Sequence, residues 1–113
     1  MPNPLRGEVW NADLNPPRGH EHAGRRPVLV VSTDPFNEGP ADLVVILPMT
    51  SKRKGIGWHV KVFAGEANLR NDSYIICEAV RCVAKERLTK KIGDVSQATM
   101  AEVAKRLRFL LEL

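Results

Sequence analysis

The chain has 113 residues, 43% of them hydrophobic and 27% charged, which suits a single globular domain over residues 1–113 and excludes a disordered polyelectrolyte. No apolar run approaches the roughly 20 residues of a membrane-spanning helix. The opening Met1-Pro2-Asn3-Pro4 lacks the charged-then-apolar pattern of a secretory signal, so no membrane role is expected and the expected compartment is the cytoplasm. A formal net charge of +4 and a pI near 9.4 favour a polyanionic partner, because basic surfaces attract phosphate backbones and release their counterions.

Residues 6–14 (RGEVWNADL) alternate in polarity and predict a strand, which the prolines of NPPRG at 15–19 must end. Then comes GHEHAGRRPVLVVS, residues 19–32. This is a glycine-bracketed polar loop carrying His20, Glu21, His22, Arg25 and Arg26, running into a valine-rich buried strand over 26–33. Residues 34–40 (DPFNEGP) read as a turn with room for a short helical piece. Residues 42–50 (DLVVILPMT) predict another strand, with Pro48 marking its end or a bulge.

A basic loop, SKRKGIG at 51–57, separates that strand from an alternating one at 58–63 (WHVKVF). Residues 65–72 are polar and turn-rich, and 73–84 (SYIICEAVRCVA) read as one long strand interrupted by Glu78 and Arg81. A short basic strand follows over 85–95. Ser96 fits a helix N-cap, and Met100, Val103, Ala104, Leu107, Leu110 and Leu111 recur at helical spacing with charged residues between them. Many short strands and one terminal amphipathic helix predict a mainly β, α+β fold. Its small bent antiparallel sheet is expected to close as a barrel, because closure removes exposed edges. On the single strand predicted for 73–84, Cys77 and Cys82 would lie about 16 Å apart on opposite faces, against a limit near 7 Å for a disulfide. Both are therefore expected to be reduced.

Three segments can carry chemistry. In the first loop, His20 titrates near neutral pH, Glu21 can accept a proton if desolvated, and Arg26 can hold an anion through its planar fork. A solvated loop with incidental charges is the competing reading. His20-Glu21-His22 could begin a metal site, but a catalytic zinc needs three protein ligands and the one other histidine, His59, lies on a distant predicted strand, so neither metal nor cofactor is expected. The second segment, Thr50-Ser51-Lys52-Arg53-Lys54-Gly55, places two hydroxyls and three cations at a strand end. It suits phosphate contact or a solubilising hairpin tip equally well. Third, Glu78 and Arg81 are either a paired charge or part of a groove wall. Trp10, Trp58 and Tyr74 can stack on bases, although aromatics on alternating strands also build cores.

The order RGEVW-x-ADL-x-P, GHEHAGRRPVLVVS, a strand ending in Thr50-Ser51, then DSYIICEAVR-x-V-x-KERL and an amphipathic helix resembles the MazF/PemK/Kid family of bacterial toxins. The resemblance runs from about Arg6 to Leu113. It implies an SH3-like barrel of the type shared with CcdB. It also implies a homodimer and a metal-independent, sequence-specific endoribonuclease that cuts single-stranded RNA, chiefly mRNA, and so stops translation and growth. By the same resemblance the catalytic residues are Arg26, Thr50, Glu21 and His20, and Glu78 lines the RNA groove; Arg18 on the first polar loop and Ser51, Lys52, Arg53 and Lys54 on the second are the further expected RNA contacts. The implied partners are single-stranded RNA and a cognate antitoxin whose acidic segment crosses the basic groove, with operator DNA reached only through that antitoxin. Two alternatives share the scaffold: a non-enzymatic CcdB-like inhibitor of DNA gyrase, and a non-cleaving nucleic-acid-binding partner of an antitoxin.

Overall fold

The computed structural model describes residues 3–15 and 24–113. In chain order these form β1 (Glu8–Asp13), β2 (Arg25–Val30), α1 (Asp34–Glu38), β3 (Leu43–Thr50), β4 (His59–Val62), β5 (Ser73–Ile76), β6 (Arg81–Ala84), β7 (Leu88–Asp94) and α2 (Gln97–Leu111). Single 3-10 turns lie at Glu66–Asn68, Cys77–Ala79 and Lys85–Arg87. All pairings are antiparallel, in the order β4-β5-β3-β2-β1-β7, with β6 also on β3. The fold is thus the expected sheet-dominated α+β arrangement with a C-terminal helix.

The valine-rich run is continuous because β2 is covered on both faces. Val28 and Val30 pack with Trp10, Leu14, Val44, Ile46 and Val83. Leu29 and Val31 point the other way, into a cluster with Val9, Leu47, Met49, Ile75 and Val103. Each such side chain, fully buried, contributes about 1.5–3 kcal/mol.

Closure of the sheet differs from expectation. The terminal strands of the ladder, β4 and β7, do not pair, so the sheet is bent but open. The turn Glu66–Asn68 fills the gap instead. Asn68 Nδ2 donates to the Ile92 carbonyl at 2.9 Å, and Gly93 lies so close that a Cβ there would sit 2.5 Å from the Ala67 carbonyl oxygen. Ala67 and Asn68 take left-handed φ values of 54° and 58°, a conformation no strand can use.

The strand expected over 73–84 is also divided. Ile46 pairs with Arg81 and Met49 with Ile75, so three steps along β3 face six along its partner. The surplus coils into the turn Cys77–Ala79, beside Pro48, which has no N–H to offer a ladder. Glu78 therefore stands on a turn, not on a strand face. Cys77 is buried, Cys82 is exposed and both are free; burial pushes the Cys77 thiol up to about 11. Pro48 itself lies within β3 and faces Val28 across the ladder.

At the other end of the sheet, Gly7 (φ 92°) turns the chain into β1, its amide donating to the Val30 carbonyl at 2.9 Å. The next residue, Glu8, is buried. Its carboxylate accepts from the Leu5 amide at 2.7 Å and from Trp10 Nε1 at 3.0 Å, and pairs with Lys91 Nζ at 2.9 Å. Burial by itself would raise the Glu8 pKa, but the Leu5, Lys91 and Trp10 hydrogen bonds together outweigh it and hold the carboxyl below its ordinary value. Helix α2 starts at the predicted cap: Ser96 Oγ accepts from the Thr99 amide at 3.1 Å. Val103 is its most deeply buried apolar residue, whereas Phe109, Leu111 and Leu113 at the far end are exposed.

Candidate active site

The β2–β3 register draws together the two residues at the heart of the site. Val28 pairs with Pro48; two residues back along β2 is Arg26, and two residues on along β3 is Thr50. Side chains two apart share a face of a strand. Both residues line one open cleft of about 360 Å³, with Pro27, Met49, Ser51, Leu69, Arg70, Asn71 and Ser73. Thr50 Oγ1 accepts from the Lys52 amide at 3.2 Å, which leaves the hydroxyl proton available to a ligand. No carboxylate lines this wall among the described residues.

The cleft contains some of the sequence-predicted site and not the rest. Arg26, Thr50 and Ser51 are together in it. Lys52, Arg53 and Lys54 occupy the exposed loop just beyond, outside the lining. Glu78 also lies outside the lining; its carboxylate meets His59 Nε2 at 2.9 Å. The His59 side chain is only 5% exposed, and its Nδ1 has no hydrogen-bond partner among the described residues. Arg18, His20 and Glu21 lie outside the described residues. Of the aromatics, Trp10 is core, bonded to Glu8, and Trp58 rests against Phe109 with ring centroids 5.4 Å apart.

A family model for the PemK-like, MazF-like toxins of type II toxin–antitoxin systems matches residues 5–111. The chain belongs to the PemK/MazF toxin family. It is 36% identical to the endoribonuclease MazF9 of Mycobacterium tuberculosis, with 96% of each chain covered. Its fold superposes on a crystal structure of MazF from Deinococcus radiodurans with a TM-score of 0.89 at 27% identity, covering both chains completely. A mycobacterial endoribonuclease solved in complex with its cognate antitoxin gives a TM-score of 0.80 at 27% identity, over 97% of this chain and 96% of that one.

Within this PemK/MazF chain, sequence reasoning missed Arg70, Asn71 and Leu69. Their stretch reads as a turn, and only the fold carries it across to Arg26. His59 was weighed solely as a distant metal ligand. The period-2 pattern of β4 sets His59 on the face of the exposed Lys61, opposite the buried Val60 and Val62, so it gave no sign of the burial of His59 or of the carboxylate it meets.

Proposed function

We propose that this chain, a toxin–antitoxin endoribonuclease of the MazF family, cuts single-stranded RNA at short sequences without a metal ion, by attack of a 2′-hydroxyl on the adjacent phosphorus. The observation that carries the reading is the joint placement of Arg26 and Thr50 in one cleft to whose lining no described residue contributes a carboxylate. In this reaction the 2′-oxygen bonds to phosphorus, the bond to the 5′-oxygen breaks, and the products are a 2′,3′-cyclic phosphate and a free 5′-hydroxyl. The Arg26 guanidinium neutralises the crowded phosphoryl oxygens, and Thr50 donates a hydrogen bond to one of them. Glu21 and His20, which precede β2 in the sequence, are the groups proposed to take the proton from the 2′-hydroxyl and deliver one to the leaving oxygen. Because the nucleophile is the 2′-hydroxyl, DNA of the same sequence is not a substrate.

Ser51, Lys52, Arg53, Lys54 and Arg18 would contact the strand on either side of the cut, with Glu78 lining the groove. The proposed protein partners are a second copy of the chain, for which the exposed Phe109, Leu111 and Leu113 offer an apolar surface, and an antitoxin with an acidic segment. The proposed setting is the cytoplasm.

The test is digestion of a long single-stranded RNA in EDTA by wild type and Arg26→Ala, with same-sequence DNA as control and cut sites mapped by primer extension. Discrete cuts in RNA only, lost in the variant, are expected. Intact RNA after incubation with correctly folded wild type would overturn the reading.

A further inference from the structure

Beside the Arg26–Thr50 cleft lies a second one, of about 450 Å³, lined by Asn11, Asn68, Leu69, Arg70, Lys90, Lys91 and Ile92. Leu69 and Arg70 belong to both linings, so the two clefts are neighbours divided by one short ridge. Their floors are continuous as well. Asn11 in β1 pairs with Pro27 of the first cleft on one side and with Lys90 of the second on the other. At about 4.8 Å between strands, that row runs roughly 10 Å from Pro27 to Lys90. A stacked nucleic-acid strand carries one charge per roughly 3.4 Å of rise, so a single strand can reach both.

The charge of the second cleft is uneven. Lys91 is spoken for, at 2.9 Å from Glu8 and 3.3 Å from Asp94. The side chains of Arg70 and Lys90 form no hydrogen bond or ion pair with any described residue, and no described carboxylate lines the cleft. The ridge that presents Arg70 is also built firmly. Glu66 Oε2 accepts from the Ser96 amide at 3.1 Å and from Thr99 Oγ1 at 2.7 Å. Asn68 is bonded to Ile92, and Ala67 and Asn68 are held left-handed against Gly93. Two non-glycine residues in that conformation carry a conformational cost that the surroundings must offset. What the cost secures is the position of Leu69 and Arg70 between the clefts.

We propose that Arg70 and Lys90, with the Asn11 amide, form a second phosphate subsite that holds the sugar–phosphate backbone of the substrate RNA beyond the cut. This rests on the nuclease reading above and adds to it a direction for the strand, from Arg26 across the Leu69–Arg70 ridge to β7. The subsite contributes affinity and not chemistry. Loss of Lys90, which lines the second cleft and not the first, should therefore raise KM for a long RNA, leave kcat unchanged, and spare a fragment too short to cross the ridge.

The test is the salt dependence of binding to a 2′-O-methyl RNA oligonucleotide, which lacks the nucleophile, followed by fluorescence anisotropy. Each lost phosphate contact should reduce the slope of log K against log salt by about 0.7. Arg70→Gln and Lys90→Gln are each expected to show that reduction, and the double variant about twice as much. Arg108→Gln, which removes an exposed helix charge outside both clefts, should leave the slope unchanged. Equal slopes for wild type and the double variant, or an equal loss in Arg108→Gln, would overturn the subsite. Cleavage of unmodified RNA is measured in parallel: a changed slope without cleavage sinks the nuclease reading alone, and cleavage with unchanged slopes sinks the subsite alone. Absence of any binding by wild type sinks both.

Discussion

Two charged regions lie at opposite ends of the pairing between β1 and its neighbours, and they use charge in opposite ways. At the entry to β1, Glu8 is 6% exposed and surrounded by donors from Leu5, Trp10 and Lys91. Nothing there remains for a ligand to bond. Around Arg26, Thr50, Arg70 and Lys90 the balance reverses: cations and a hydroxyl line open clefts to which no described residue contributes a carboxylate. A buried charge with every partner supplied is architecture, because taking one partner away strands the other out of water. Arg70 and Lys90 form no ion pair with any described residue, and an arriving polyanion supplies the counter-charge they lack there. Both regions contain arginine or lysine beside a strand, so residue type alone does not distinguish them.

Mutation should separate the two regions cleanly. The largest effect is expected from Arg26→Ala: a loss of about 10²–10³-fold in kcat, the scale of one removed transition-state donor, with the urea midpoint close to wild type. Glu8→Gln should do the reverse. It leaves Lys91 facing an amide and is expected to cost about 1–3 kcal/mol of stability in urea unfolding, with kcat retained under native conditions. The pH dependence follows from the direction of the Glu8 shift. Because the folded carboxyl lies below its ordinary 4.5, its contribution is complete above that value and is lost as pH falls through the folded pKa. The gap in urea midpoint between wild type and Glu8→Gln should therefore narrow on acidification below 4.5. A gap that stayed constant there would remove Glu8 from the architectural side of the comparison.

The opening RGEVW motif was legible as a signature but not as a device. Its strand was predicted, whereas the burial of Glu8 depends on Lys91, more than eighty positions away in β7. The alternation of β1 and β4, the Ser96 cap and the α2 face through Met100, Val103, Ala104, Leu107 and Leu110 followed from local period and capping chemistry, while Leu111, counted on the same face, is exposed. Long-range register was not. The length of β3 gives no sign that its partner carries three surplus residues, so Glu78 was set on a strand when it stands on a turn. Closure was misjudged for a related reason. Strand count argues for a barrel, but Ala67, Asn68 and Gly93 put a backbone contact where a ladder was expected. In the site, Arg26 and Thr50 could be named from the family resemblance, while Arg70 could not, since a polar turn has no period to show which way it faces.

Gly93→Ala probes the seam between the two regions. Its new methyl would sit 2.5 Å from the Ala67 carbonyl oxygen and 2.6 Å from the Ala67 carbonyl carbon, both backbone atoms, so the turn Glu66–Asn68 has to move. The expected cost is about 1–3 kcal/mol, accompanied by a reduced salt slope for RNA binding like that of Arg70→Gln. Retention of the full slope with lowered stability would mean that Arg70 finds its place without the turn.

The smallest effect is expected from Ser96→Ala. It removes a cap bond to the Thr99 amide and should cost about 1 kcal/mol in urea unfolding. Glu66 still accepts from the Ser96 amide and from Thr99 Oγ1, and its negative charge still faces the positive end of the α2 dipole. The turn carrying Arg70 should therefore stay in place, and RNA affinity and its salt slope should match wild type. If Ser96→Ala weakened RNA binding as much as Arg70→Gln does, the groove would depend on the helix cap itself. Architecture and binding would then be one cooperative unit, and the division drawn between Glu8 and Arg70 would describe two ends of a single network.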